Sequence, residues 1–134
     1  MYESAENYLE TILVLSQSGG KVRSIDIVNE LEYSKPSVSV AMKNLREKGY
    51  IETDADGYIT LTEEGRRIAE SVYEKHTFFS DWLIFLGVDK ITAVRDACRM
   101  EHAMSERSFE AIKKHIEDWK RGIYGQKGMD DKEG

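Results

Sequence analysis

Apolar residues recur at a helical spacing near the start of the chain. Ala5, Tyr8, Leu9, Ile12, Leu13 and Leu15 follow a period near 3.6, and Ser16-Gln-Ser-Gly-Gly closes the run, which predicts a first helix over residues 3–17. Ser24 reads as the N-cap of a short helix, Ile25 to Leu31, with Ile25, Ile27, Val28 and Leu31 facing in and Asp26 and Glu30 facing out. After the turn Glu32-Tyr33-Ser34, Ser34 caps a second helix with Pro36 in its first turn, where a missing N–H costs little. Val38, Ala41, Met42 and Leu45 form its inner face, and Gly49 stops it after about Lys48. Two short helices joined by a tight turn predict a helix-turn-helix.

The pattern then switches to strict alternation. Tyr50-Ile-Glu-Thr and Tyr58-Ile-Thr-Leu predict two short strands around Asp54-Ala55-Asp56-Gly57, whose Asp-Gly pair favours a hairpin turn. A hairpin directly behind a helix-turn-helix is the winged-helix arrangement. Thr62 caps a long helix, about 63–86, with Glu63 and Glu64 well placed in its first turn. Its stripe of Ile68, Ala69, Val72, Phe79, Leu83 and Leu86 thickens from Phe78 onward with Trp82, Ile84 and Phe85. That surface serves either an intramolecular core or self-association, and residues 71–120 supply too few elements to cover every apolar face. Gly87 breaks the helix, Asp89 caps the next one, and Ser105 caps a last helix over 106–120 carrying Phe109, Ile112, Ile116 and Trp119. Beyond Gly122 the chain is rich in Gly, Asp and Lys and reads as a flexible tail. The expected fold is mainly α, with a winged helix-turn-helix over 1–70, an all-helical domain over 71–121 whose apolar surface serves a core or self-association (a dimerisation domain, on the family resemblance set out below), and the tail over 122–134.

Composition narrows the class. The 134 residues are 40% apolar and 33% charged, enough for one compact domain or two small units that lean on each other. No apolar run is long enough to span a membrane, the acidic start is not signal-like, and the single Cys98 excludes an internal disulfide. A cytoplasmic location is expected. The net charge of −6 argues against a generally nucleic-acid-binding surface, but its distribution does not. Residues 21–50 carry six basic and four acidic side chains, while the remainder carries thirteen and twenty-one. A locally basic segment on an acidic chain still docks on phosphate, with less non-specific affinity than a basic domain has. The outer face of the second short helix shows Lys35, Ser37, Ser39, Lys43 and Arg46, hydroxyls and cations that suit a helix in a major groove.

The stretch Cys98-Arg-Met-Glu-His102 carries the other candidate chemistry. If it is helical, Cys98, Glu101 and His102 sit at i, i+3 and i+4, which puts a thiol, a carboxylate and an imidazole on one face. These side chains bind divalent transition metals, and they equally describe a half-buried cysteine beside an ordinary ion pair. On the first helix, Asn7 and Glu10 share a face at i, i+3 and read as donors or as a solvated polar surface.

The order of parts, with Glu6-Asn-Tyr-Leu-Glu10, Pro36-Ser-Val-Ser, Leu61-Thr-Glu-Glu-Gly, Lys75-His76 and Ala97-Cys-Arg-Met-Glu-His-Ala-Met-Ser105, resembles the diphtheria toxin repressor family of metal-dependent transcriptional regulators, including its manganese-responsive branch. The resemblance covers residues 4 to about 120 and is of the short type, without an SH3-like domain. It implies a metal-dependent DNA-binding regulator of metal-ion homeostasis, commonly a repressor and not an enzyme, with Fe(II) or Mn(II) as co-repressor. The implied metal ligands are Asn7, Glu10, His76, Cys98, Glu101 and His102. Asn7 stands where manganese-responsive members place Asp and iron-responsive ones Met, whereas a cysteine in the pentad belongs to the iron-responsive side. Ser80 and Val94 replace the Glu and His of an ancillary iron-type site. His115 has no counterpart and is expected at the surface.

The implied partners are a second copy of the chain and a palindromic double-stranded operator, with no membrane. Ser34, Lys35, Pro36, Ser37, Ser39 and Val40 would face the bases, and Arg23, Lys43 and Arg46 the phosphates. The acidic hairpin tip is not expected to grip phosphate. An ion held by both domains would restrict the orientations of the DNA-reading heads and favour the spacing of one turn of DNA, about 34 Å. A winged-helix regulator sensing an oxidant or organic ligand through Cys98 or the dimer cavity is the alternative. A zinc hydrolase built on Cys98, His102 and His76 leaves the helix-turn-helix without a role.

Overall fold

The computed structural model describes the backbone of residues 3–133 and the side chains of residues 4–122. The chain forms two compact units, Met1–Thr77 and Phe78–Gly134. The division falls inside a helix, somewhat beyond the expected boundary at residue 70.

The first unit is built from α1 (Glu3–Gly19), α2 (Ser24–Leu31), α3 (Lys35–Glu47), the strands β1 (Ile51–Thr53) and β2 (Ile59–Leu61), and the first part of α4 (Glu63–Phe85). Its core collects the apolar positions that the periodicities single out: Leu9, Ile12 and Leu13 of α1, Ile27 of α2, Val38, Met42 and Leu45 of α3, Ile51 and Ile59 of the hairpin, and Ala69 of α4. Burying the Leu, Ile, Val and Met side chains among them stabilises by roughly 1.5–3 kcal/mol each, before the entropy of ordering them is subtracted.

Local chemistry sets the element ends. The Ser34 hydroxyl accepts the Ser37 N–H at 3.3 Å and caps α3, and Pro36 occupies the first turn. Gly49, with φ of 80°, turns the chain out of α3 toward β1. The strands pair antiparallel in the register Ile51↔Leu61 and Thr53↔Ile59. Asp54 closes the hairpin by accepting the N–H groups of Asp56 and Tyr58, both at 2.9 Å. Thr62 caps α4 by accepting the Gly65 N–H at 3.1 Å, while its hydroxyl donates to the Gly49 carbonyl at 2.7 Å. Gly65 is required for packing, since a Cβ there would overlap the Tyr50 carbonyl oxygen.

One cap differs from expectation. Ser24 is the first residue of α2 and Arg23 is its N-cap. The Asp26 carboxylate reaches back to accept the Arg23 N–H at 2.8 Å, so the acidic residue in the first turn moves the start by one.

The second unit holds the end of α4, then α5 (Lys90–Met100) and α6 (Glu106–Glu133). Asp89 caps α5 by accepting the Thr92 N–H at 3.0 Å, and Ser105 caps α6 through Ser108 at 3.2 Å. Phe79, Ala97 and Phe109 form its core, with Phe78, Met100 and Met104 packed against them. The rings of Phe78, Phe79 and Phe109 meet edge to face at 5.6–5.7 Å. A second aromatic group, Trp82, Phe85 and Trp119, stays partly open, with Phe85 42% and Trp119 44% exposed.

Two expectations about the second unit are corrected. The pentad does not lie wholly within a helix, because α5 ends at Met100 and Glu101 is its C-cap. The chain must turn before Ser105 starts α6, and the Ala103 N–H bonds the Met100 carbonyl at 3.1 Å in that turn. The last helix, expected over 106–120, continues to Glu133.

Candidate metal centre and nucleic-acid interface

The C-terminal end of α5 brings three donors together. Ala93 and Ala97 on one side of the helix are both fully buried, Ala97 in the unit's core, and Cys98 follows, half-buried. Glu101 retains helical dihedrals, φ −61° and ψ −23°, and its N–H bonds the Ala97 carbonyl at 3.0 Å. The geometry of a helical turn therefore survives one residue past the helix. The Cys98 sulfur, a Glu101 carboxylate oxygen and a His102 ring nitrogen all lie within 4.8 Å of one another. The His102 Nε2 and Glu101 Oε1 atoms are 3.2 Å apart, and the two side chains are only 4% and 0% exposed.

Burying a carboxylate costs several kcal/mol unless positive charge or hydrogen bonds offset it. A thiolate, a carboxylate and a neutral imidazole are the N, O and S donors that hold first-row divalent cations. Bonds of about 2.0–2.3 Å leave two ligands of one ion within about 4.6 Å of each other, so small side-chain rotations suffice to complete a shared site. By donor chemistry and by spacing, the cluster fits such an ion.

The first unit supplies a second set. Glu10 of α1 and His76 of α4 place ligand atoms within 4.8 Å of each other. Both line a cavity of about 370 Å³, together with Thr11, Val14, Glu30, Leu31, Tyr73 and Thr77. Asn7 stands one turn before Glu10 on α1, and its backbone carbonyl accepts the Thr11 hydroxyl at 2.8 Å. Of the six expected ligands, the structure thus groups Cys98 with Glu101 and His102, and Glu10 with His76, and sets Asn7 on the Glu10 face of α1. Val94 brings no donor, Ser80 is buried, and His115 is exposed, as expected for a surface residue.

The candidate nucleic-acid face belongs to the first unit. Arg23, Ser34, Lys35, Pro36, Ser37, Ser39, Val40, Lys43 and Arg46 are all exposed, while Val38, Met42 and Leu45 on the opposite side of α3 are buried. The recognition helix thus keeps its polar side in solvent because its apolar side is committed to the core. Val40 is 59% exposed, a large apolar side chain at the surface that suits contact with a thymine methyl. The Arg46 guanidinium donates to the Thr53 hydroxyl at 3.4 Å, which ties the end of α3 to β1.

The sequence reading missed two features of this surface. Tyr58, read only as a strand residue, carries both Lys21 and Arg23 on its ring. Glu30 lines the cavity beside Glu10 and His76. The sequence signal for the first was the alternation Lys21-Val22-Arg23, which sends two cations to the side opposite an apolar residue.

Two family models match the chain in succession. Residues 1–58 match the N-terminal DNA-binding domain of iron-dependent repressors, and residues 62–129 match the metal-binding and dimerisation domain of the same family. The chain is 34% identical over 111 residues to the transcriptional regulator MntR of Escherichia coli, which covers 83% of this chain and 72% of that one. It is 33% identical over 122 residues to an uncharacterised helix-turn-helix transcriptional regulator of Methanocaldococcus jannaschii, covering 90% of this chain and 98% of the other. It also superposes with a TM-score of 0.75 and 27% identity on a manganese-dependent transcriptional repressor in complex with manganese, covering 84% of this chain. It spans about half, 52%, of that structure's chain.

Proposed function

The chain belongs to the iron-dependent repressor family, as a metal-dependent DNA-binding transcriptional repressor, and from that premise we propose that Asn7, Glu10, His76, Cys98, Glu101 and His102 together hold the divalent cation, Mn(II) or Fe(II), on which its binding to DNA depends. The observation that carries this reading is the buried Glu101 carboxylate with Cys98 and His102 donors inside 4.8 Å, in a chain whose other unit presents a recognition helix. Bound there, the cation would supply the positive charge that offsets the buried Glu101 carboxylate.

Each residue then has a task. Glu10 and Glu101 bring negative charge, which makes the site selective for a cation over a neutral molecule. His76 and His102 offer nitrogen donors, and Cys98 adds a soft sulfur that favours Fe(II) over Mg(II) or Ca(II). The likeness to MntR and to a repressor solved with manganese supports Mn(II). Asn7 contributes a neutral carbonyl oxygen and leaves the total negative charge to the others. Ligation narrows the orientations open to the DNA-reading heads, so a homodimer presents two α3 helices at the spacing of a palindromic operator. The apolar residues that remain open on the second unit, among them Ile84, Phe85, Leu86 and Trp119, suit burial against a second copy. Repression of genes for metal-ion homeostasis in the cytoplasm follows from this reading.

The direct test uses chelator-treated protein and duplexes selected from a random library. Affinity is measured by anisotropy as Mn(II) or Fe(II) is added. A rise of one or more orders of magnitude supports the reading. An affinity indifferent to both metals rejects it.

A further inference from the structure

Lys21 and Arg23 flank Val22, whose carbonyl accepts the Ile59 N–H at 2.7 Å in an isolated antiparallel bridge. The bridge lays the connection between α1 and α2 along the root of the hairpin. In extended backbone, neighbouring side chains alternate, so Val22 enters the core, 1% exposed, while Lys21 and Arg23 stand in solvent. Both cations then converge on one ring: the Lys21 ammonium lies 4.7 Å and the Arg23 guanidinium 4.4 Å from the centroid of Tyr58.

Among the described residues neither cation has an ion-pair partner, since Asp26 takes the Arg23 amide and not its guanidinium. Two like charges on one ring lie within a Debye length of each other, about 10 Å at 0.1 M salt, and repel. The ring attracts cations only modestly at an exposed site. The arrangement leaves a doubly positive surface that an anion with several acceptor oxygens would neutralise. Its neighbours continue the DNA-reading face, because Ser24 and Ile25 share a surface depression with Lys35 and Ser39 of α3.

We propose that Lys21, Arg23 and Tyr58 form a phosphate platform at the root of the wing, which seats the backbone of duplex DNA beside the recognition helix. The wing's grip thus comes from its root. The acidic tip is occupied otherwise, with Asp54 engaged by the amides of Asp56 and Tyr58. The platform positions the protein and reads no base. The proposal rests on the DNA-binding reading and not on the metal site.

The test compares wild-type protein with Lys21→Gln/Arg23→Gln, which keeps much of both side-chain stems, and with Tyr58→Leu, which keeps both charges. The probe is a fluorescent random-sequence duplex of about 30 base pairs, bound in excess Mn(II) and titrated from about 50 to 200 mM KCl. One phosphate per platform makes the slope of log affinity against log salt shallower by about 0.9, or about 2 for a dimer using both platforms. Tyr58→Leu is expected to keep the slope and to lose about two- to fivefold in affinity, the worth of an exposed cation–π contact. An unchanged slope in the double variant, with an unchanged response to Mn(II), overturns the platform alone. An unchanged affinity in Tyr58→Leu overturns the role of the ring. Wild-type binding that ignores Mn(II) overturns the metal switch and leaves the platform standing.

Discussion

Replacing Glu101 with Gln tests the metal centre through stability, without DNA. The side chain is 0% exposed, and the His102 Nε2 is 3.2 Å from its carboxylate. Gln preserves the volume and removes the charge, so the fold is retained while a ligand is weakened. Metal that binds only the folded state stabilises by RT ln(1 + [L]/Kd), which is about 2.7 kcal/mol when free Mn(II) is about a hundredfold above Kd. Outer-sphere partners alone are worth about 10- to 100-fold in metal affinity, so a direct carboxylate ligand is worth at least the upper figure. At the same free Mn(II), the variant then keeps only RT ln 2, about 0.4 kcal/mol. The difference, about 2.3 kcal/mol, corresponds to roughly 7–12 °C in Tm for a chain of this size. The assay is thermal unfolding of chelated and Mn(II)-loaded protein for wild type, Glu101→Gln, and Glu117→Gln as an exposed acidic control. The control should keep the full metal-induced shift. An equal shift in Glu101→Gln would refute the assignment of Glu101 as a ligand.

Gly65→Ala places a Cβ against the Tyr50 carbonyl oxygen and should cost about 1–3 kcal/mol, read as a lower urea midpoint with an unchanged m-value. Ser34→Ala removes the acceptor of the Ser37 N–H and should cost about 1 kcal/mol, whereas Ser34→Asn should restore most of it. Hydrogen bonds from Thr92 hold the Asp89 carboxyl below its ordinary value of 3.8. Its stabilising contribution is therefore full above that value and lost as pH falls through the lower folded value, because the unfolded chain takes up the proton first. Urea unfolding of wild type and Asp89→Asn between about pH 6 and pH 2.5 should show a stability gap that is constant near neutrality and changes only at the acid end. A gap that is flat throughout would contradict this.

The parts of the fold that were legible in the sequence are those fixed by local chemistry. Ser34, Thr62, Asp89 and Ser105 each accept an N–H within three residues, and each marked a helix start correctly. The Asp-Gly hairpin and the inner face of α3 were equally local. Where two local signals compete, the reading fails by one residue: Ser24 is a good cap, but Asp26 reaches Arg23 instead. The pentad shows a different limit. Its i, i+3, i+4 spacing grouped the three donors correctly even though the helix stops at Met100, because Glu101 keeps helical dihedrals as the cap. The division between units falls inside α4, where the helical period runs on without a break. Of the Lys21–Tyr58–Arg23 group, the alternation Lys21-Val22-Arg23 showed that the two cations share a side, but not that they meet on Tyr58. That meeting depends on the Val22 to Ile59 bridge, a contact between segments far apart in sequence.

The first unit also explains how a small ligand could govern a recognition helix that it does not touch. Leu9, Ile12 and Leu13 of α1 share one core with Val38, Met42 and Leu45 of α3, so α1 cannot shift without α3. The start of α4 is bound to the wing twice, through Thr62 and the Gly49 carbonyl and through the Thr62 N–H and the Tyr50 carbonyl at 3.1 Å. Glu10 and His76 belong to these two bracing helices and lie within 4.8 Å of each other. A cation shared by that pair would fasten α1 to α4, and with them the two structures that frame α3 and the wing. Close-packed interiors transmit such a constraint as a choice between discrete arrangements, not as a gradual deformation. Loss of His76 should therefore weaken the metal's effect on DNA binding even while Cys98, Glu101 and His102 still hold an ion, and that separation between binding and response is what a bracing role requires.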